Sequence, residues 1–364
     1  MNGELLLSPD QPPDFEAIPD VSGVFVLWLR QGAPHLGRTH RLRRRLRRLL
    51  SPLEGSSRLR ALREAAVRVE YQATGSPFES TVLLYGLARK HRPDDYRRFL
   101  KLRIPPFLKL SLSHPHPRCW ITRRPGRDGS LYFGPFASRA AAERFQSAFL
   151  DLFQVRRCRE EIVPDPAHPG CIYGEMGMCL RPCQAACTAE QYRAEVGRVA
   201  EFLSTRGESL RIELEREREQ ASAGLEFERA ARLHKKLEKA GQAVESGEEL
   251  ARDLERLWGV IVQRSVEQGA VELWFLRQGC LQPRRRLVLA AEGAAPVSLD
   301  ERLRRTLAEL PLRRRPARDR AEQLALVARW HWSSWKQGEL ILFDDPERPP
   351  YRKLARALAR VANA

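Results

Sequence analysis

The apolar residues of this chain change period several times, and each change predicts an element. Ser22–Leu29 is β-branched, aromatic and aliphatic, and the turn Arg30-Gln31-Gly32 closes it, so it predicts a strand. Ala33–Gly37 predicts a short second strand. His40–Leu50 sets Leu42, Leu46 and Leu49 at helical spacing with arginines elsewhere, an amphipathic basic helix. Residues 60–72 hold an Ala/Arg helix leading into a third strand, Val67–Tyr71. Glu79–Lys90 predicts another helix, stopped by His91-Arg92-Pro93. Two strands, a helix, a strand and a helix make a small α+β unit, with residues 1 to about 20 as a lead-in.

Further along, Ala137–Phe153 predicts a helix with Ala140, Phe145, Phe149 and Leu152 on one core stripe. Residues 189–245 read as long helices broken at Gly224-Leu225-Glu226, a hairpin offering Leu225, Phe227, Ala230, Ala231 and Leu233 as an apolar stripe. Leu257–Val262, Val271–Arg277 and Leu281–Leu289 predict a small antiparallel β unit. A helix over Leu299–Leu310, a basic linker Arg313–Arg320, a helix over Leu324–Trp335 and a basic helix Tyr351–Val361 follow, with no chemistry legible in them.

Composition adds a partner. The 364 residues, 43% hydrophobic and 30% charged, suffice for two or three domains. No apolar run approaches the ~20 residues of a membrane span. The first residues lack a basic n-region and an apolar core, so no signal peptide is expected and the reading is cytoplasmic. Net charge is +17 and the pI about 10.1, which points to a polyanion, most simply nucleic acid. General arginine richness would spread the charge. Here no Lys or Arg precedes Arg30, and then Arg38, Arg41, Arg43, Arg44, Arg45, Arg47 and Arg48 crowd together. A membrane-surface helix shares that pattern, but the Leu face is narrow and is needed to cover a sheet, so these arginines are expected to face phosphate. Between Lys101 and Arg127, basic residues interleave with Phe107 and Trp120, with Tyr132 and Phe133 just beyond, a mix suited to backbone contacts and base stacking or to core plus rim.

Five of the seven cysteines lie between Cys158 and Cys187. Reduced thiols so gathered suit zinc or a [4Fe–4S] cluster. Cys179, Cys183 and Cys187 are four apart, one helical turn, and with Cys171 they make a complete set of four by spacing. His168 is a further candidate ligand, and Cys119 and Cys280 stand alone as expected core residues.

Together these segments resemble a family. Gly23-Val24-Phe25, His35-Leu36-Gly37-Arg38, Arg45 and Arg89-Lys90-His91-Arg92-Pro93 resemble the GIY-YIG nuclease domain of the bacterial excinuclease UvrC. Ile104–Leu110, Tyr132–Phe136, the spacing Cys171-x7-Cys179-x3-Cys183 around Arg181-Pro182, and Leu225–Leu233, similar to the UVR motif, continue the likeness over roughly residues 18–290. The resemblance implies a division into an 18–96 degenerate GIY-YIG-like domain, a 97–200 metal-cluster domain, a 201–247 UVR-like hairpin, a 250–345 β-plus-helix domain and a 346–364 basic helix. It implies Cys158, Cys171, Cys179 and Cys183 as cluster ligands with Cys187 as the alternative. It also implies DNA as a partner and the excinuclease component UvrB as a partner of the hairpin. The family's RNase H-like nuclease and helix-hairpin-helix are expected to be missing.

The family cuts a strand with two tyrosines, a lysine, an arginine and a metal-holding glutamate. Matched by position, the tyrosines are Phe25 and His35, the lysine is Arg38, the arginine is Arg45 and the glutamate is Leu84. Without the carboxylate the site lacks its largest charge. The expected function is therefore DNA binding of nucleotide excision repair type with no cutting. The first alternative is a Mg²⁺- or Mn²⁺-dependent endonuclease rewired around His35, Arg45 and Glu79, and the second is an RNA-binding basic protein.

Overall fold

The computed structural model describes residues 3–7, 13–50, 57–289, 298–308 and 316–363. Its first sheet joins β1 (Gly3–Leu6), β2 (Gly23–Leu29), β3 (His35–Thr39) and β4 (Ala66–Ala73) in the order β1-β4-β2-β3, antiparallel throughout. Residues 1–20 are thus more than a lead-in, because β1 runs along β4 from Gly3 opposite Tyr71 to Leu6 opposite Arg68. Gly3 leaves room for the Tyr71 ring, whose tip would have to shift if residue 3 carried a Cβ, 2.3 Å away. Four residues carry too little pattern to announce such a strand.

Helix α1 (Leu42–Leu50), followed by α2 (Ser57–Ala65), covers one face of this sheet. It buries Leu42, Leu46, Leu49 and Leu50 against Phe25 and Leu27, each worth about 1.5–3 kcal/mol relative to exposure. Helix α3 (Pro77–His91) and the short α4 (Tyr96–Phe99) cover the other face, where Leu84, Tyr85 and Ala88 meet Val24, Val26 and Leu36. Ser76 starts α3 by accepting from the Glu79 N–H at 3.1 Å, with Pro77 in the first turn.

The second sheet takes β5 (Phe107–Leu110), β6 (Cys119–Thr122) and β7 (Leu131–Gly134). Helices α5 (Arg139–Leu150), α6 (Ile172–Glu175), α7 (Ala189–Ser204), α8 (Glu208–Ala223) and α9 (Phe227–Glu245) intervene before its last strand, β8 (Arg252–Asp253). Strand order is β6-β5-β7-β8, so residues beyond the hairpin close the sheet begun before it. Phe133 stacks on Phe145 at 5.1 Å, and Phe149 and Phe202 extend the core to α7. Leu210, Leu214, Ala240 and Ala243 root the α8–α9 hairpin in the same core.

The third sheet has the order β11-β10-β9-β13, with β12 also paired to β10. Its strands are β9 (Trp258–Arg264), β10 (Ala270–Arg277), β11 (Cys280–Leu281), β12 (Arg285–Val288) and β13 (Glu339–Phe343). Helices α10 (Leu299–Ala308), α11 (Ala317–His331) and α12 (Tyr351–Asn363) go with it. The helix expected over Leu324–Trp335 begins earlier and ends at His331, which leaves Trp332 and Trp335 beyond it. Of the expected basic linker, Arg313, Arg314 and Arg315 lie outside the described residues, while Arg318 and Arg320 belong to α11. The chain is α+β, and among its described residues no helix is long and apolar enough to cross a membrane.

The third unit is fastened to the first through α11. Glu322 is fully buried and accepts from Tyr85 Oη at 2.7 Å, Tyr96 Oη at 2.8 Å and Arg97 Nε at 2.6 Å. Asp319 pairs with Arg89 at 3.1 Å, and the buried Glu79 pairs with Arg284. Burial alone would raise the Glu322 pKa, but the hydrogen bonds from Tyr85, Tyr96 and Arg97 outweigh it, so the carboxyl titrates below the ordinary 4.5. A depressed folded pKa contributes stability above the unfolded value that is lost as pH falls through the folded one. Glu322→Gln is expected to cost about 3 kcal/mol at neutral pH, as when one partner of a buried ion pair is removed. Urea midpoints of both proteins from pH 7 downward check this, and the gap should narrow below about pH 4.5.

Candidate functional site

The residues matched to a nuclease centre do not converge. Side chains alternate along β3, so Leu36 and Arg38 face α3 while His35 and Gly37 face α1. His35 is half-buried, 6.1 Å from the Phe25 ring. Arg38 donates to Thr81 Oγ1 at 2.9 Å and lies 5.9 Å over the Trp335 ring. Burial, and then Arg329, hold its pKa below the usual arginine value. Leu84 is buried in the same apolar cluster as Leu326 of α11, so an interdomain joint occupies the matched position of the glutamate. Glu79 is neither a surface carboxylate nor a neighbour of His35. It accepts from the Gly75 N–H at 2.8 Å and pairs with Arg284.

The seven arginines divide. Arg43 donates to Ile18 O at 2.7 Å and to Glu16 at 2.9 Å, and Arg47 reaches the same Glu16 at 2.5 Å. Arg38 is engaged as above. Arg41, Arg44, Arg45 and Arg48 are exposed, and among the described residues their guanidinium groups meet no carboxylate. These four stand at i, i+3, i+4 and i+7, one stripe of about 100° that starts just before α1 and runs opposite its leucines.

Between α5 and α7 the chain is mostly coil, interrupted by the short α6. The four-residue cysteine spacing is not helical: Arg181 and Ala185 are left-handed, with φ of 54° and 50°, and only a 3₁₀ turn at Pro182–Gln184 separates them. The coil folds back so that Cys158, Cys171, Cys179 and Cys183 line one tight recess. Cys187 does not line it and packs against the apolar core instead. His168 stays outside as well, its Nδ1 accepting from the Gly170 N–H at 3.0 Å. Among the described residues no three His, Cys, Asp or Glu side chains converge closely enough to hold a single ion. Four thiols on one recess are a donor set that suits either zinc or a polynuclear centre.

Donors point at two of these sulfurs. The Arg181 N–H reaches Cys179 Sγ at 3.4 Å and Arg156 Nη1 reaches Cys158 Sγ at 3.6 Å. Burial pushes the Cys179 thiol up to about 11, against the Arg181 N–H, and Cys158, Cys171 and Cys183 add to the rise. A thiolate there needs positive charge inside the recess. Cys119 and Cys280 are buried elsewhere.

At the hairpin, Leu225 and Phe227 are 72% and 68% exposed. Ala231 is exposed too, Ala230 is half-buried, and Leu233 leans on the middle core.

Residues 106–202 match the UvrC/Cho excinuclease middle domain. The chain is 33% identical over 273 residues to UvrABC system protein C of Desulforudis audaxviator, covering 74% of this chain and 44% of that one. The same protein of Moorella thermoacetica is 31% identical over 263 residues, 72% of this chain and 43% of that one. That of Acetivibrio thermocellus is 28% identical over 296 residues, 80% and 47%. The chain thus spans less than half the length of these curated relatives.

Leu84→Glu restores the matched carboxylate on paper. In this packing it would bury an unpartnered charge beside Leu326 and is expected to lower stability by at least about 3 kcal/mol, measured by urea unfolding, without creating metal-dependent cutting.

Proposed function

Since this chain belongs to the UvrC family, we propose that it is a cytoplasmic DNA-binding protein of nucleotide excision repair type whose GIY-YIG-like domain does not cut. The outward arginine stripe of α1 carries the reading. Arg41, Arg44, Arg45 and Arg48 are held outward by buried leucines, and among the described residues their guanidinium groups pair with no carboxylate, Asp20 reaching only the Arg44 N–H at 3.3 Å, an arrangement a phosphate backbone neutralises. Arg43 and Arg47, tied to Glu16, shape that helix, and Arg38 belongs to the interdomain joint. The absence of cutting is supported by Leu84 at the matched carboxylate position and by Arg38 facing α3 while His35 faces α1. Glu79, spent on Arg284, leaves the rewired alternative without a metal ligand.

Cys158, Cys171, Cys179 and Cys183 would hold a [4Fe–4S] cluster, supported by the shared recess and by the position of Cys187 outside it. Such a cluster would cross-link the coil and supply a redox-capable centre. The chain's own part is to gather the thiols with two left-handed turns and to direct the Arg181 and Arg156 donors at the sulfurs. The exposed Leu225 and Phe227 would meet a matching helical hairpin of UvrB, since these two apolar side chains at the turn are left uncovered by the described residues.

Arg45→Ala with Arg48→Ala is expected to reduce duplex binding on the order of tenfold and the salt slope by about two, each arginine counting for roughly one phosphate. Arg43→Ala should leave the slope nearly unchanged. Fluorescence anisotropy across salt concentrations checks both. Nicked, bubble and damaged duplexes with Mg²⁺ or Mn²⁺ should stay intact; incision that disappears in Arg45→Ala overturns the reading. Anaerobically purified protein should be coloured, with about four irons and four sulfides per chain. A colourless protein with one zinc refutes the cluster.

A further inference from the structure

Of the aromatic residues interleaved with basic ones in the middle region, Phe107, Tyr132 and Phe133 are core, 0%, 4% and 3% exposed. Trp120 is different. It sits on β6, an edge strand, and is only half-buried. Lys109, opposite it across the ladder, holds its ammonium 5.2 Å from the indole, and the Arg118 guanidinium lies 4.6 Å from the same ring. Beside Trp120, between β6 and α5, runs an open groove of about 460 Å³. Arg118, Arg139, Arg157 and Arg159 line it against one carboxylate, Glu143, which Arg139 engages at 2.7 Å. Arg159 is exposed with no partner among the described residues. Arg157 gives one nitrogen to Asp151 at 2.8 Å, while its Nε is a buried donor without an acceptor there. Glu160 and Glu161 border the far side of Trp120, so the α5 side is the more positive. At the β6 edge, Gln146 Nε2 donates to Cys119 O at 2.8 Å and blocks a peptide strand from adding there.

We propose that this groove takes an unpaired nucleotide of a DNA strand, its phosphate among Arg118, Arg157 and Arg159 and its base laid against the Trp120–Arg118 stack. A purely electrostatic site needs no aromatic plane, and an indole backed by a guanidinium is a stacking platform that every base fits. A double-stranded segment keeps its bases inside the helix and offers nothing to Trp120. The groove and α1 therefore divide the work, single strand to one and duplex backbone to the other. The proposal rests on the DNA-binding reading above.

The test is fluorescence anisotropy of the full chain with a labelled short oligothymidylate and, separately, a fully paired duplex. Trp120→Leu is expected to weaken the oligothymidylate on the order of tenfold and leave the duplex unchanged, whereas Trp120→Phe keeps most of the affinity. Arg159→Ala, on an exposed side chain, should weaken only the single strand and lower its salt slope by about one, and it decides the matter if Trp120→Leu does not fold. Three results overturn the groove alone: wild type binding duplex but no single strand, equal single-strand affinity in Trp120→Leu or in Arg159→Ala, or polyglutamate of matched charge displacing the oligomer equally well. Wild type binding neither nucleic acid sinks the DNA reading and the groove with it.

Discussion

The carboxylate of Glu322 is the constraint on which the arrangement of the chain depends. A fully buried glutamate is tolerable only when its lone pairs are satisfied, and here Tyr85, Tyr96 and Arg97 do so from 237, 226 and 225 residues away in sequence. Those donors sit on α3 and α4, the acceptor on α11, so the first and third units cannot separate without stranding a charge. Glu79 with Arg284 repeats the device in the opposite sense, the buried acid on α3 and the base just before β12. Helix α3 is therefore a structural member shared by two units. Leu84 fits that role: a metal-binding carboxylate needs an open, wet approach, and this position is buried in the apolar cluster that Leu326 of α11 also joins.

The same logic sorts the positive charge. A net +17 gives no hint of which arginines are available. The structure spends Arg43 and Arg47 on Glu16, Arg97 and Arg318 on Glu322, Arg284 on Glu79, and the buried Arg320 on Glu255. Among the described residues, α1 and the groove beside Trp120 are two places where arginines without a carboxylate partner stand close together. Few of the exposed pairs matter much to stability, since a solvated ion pair contributes about 0–1 kcal/mol. Their effect is to remove positive charge from some surfaces and leave it on others.

Periodicity made much of the fold legible. The apolar run at Gly23–Leu29, the leucine spacing of α1, the break at Gly224-Leu225-Glu226 and the alternation in β9 and β10 all became the elements they announced. Short or nonlocal elements were not legible. Strand β1 is four residues whose partner strand lies far along the chain, and β8 is two residues that complete a sheet begun before the helical hairpin. The burial of Glu79 was hidden because its partner Arg284 is 205 positions distant. Among the candidate site residues, the outward stripe on α1 could have been drawn from the helical wheel alone. The loss of Arg43 and Arg47 to Glu16 could not, because it depends on how the segment before β2 lies across α1.

The cysteines show why spacing misleads in a coil. A separation of four residues matches a helical turn only if the backbone between is helical, and Arg181 and Ala185 are left-handed. The same two reversals carry Cys183 back toward Cys158 and Cys171 and leave Cys187 on the core side. Four sulfurs drawn together from a coil of this length would be an entropic liability if nothing bridged them. The recess lies directly against the groove, since Arg157 lines both. The proposed centre, by fixing the coil, would also fix Arg157 and the adjoining Arg159, and would so couple the cysteines to the basic groove that β6 and α5 border.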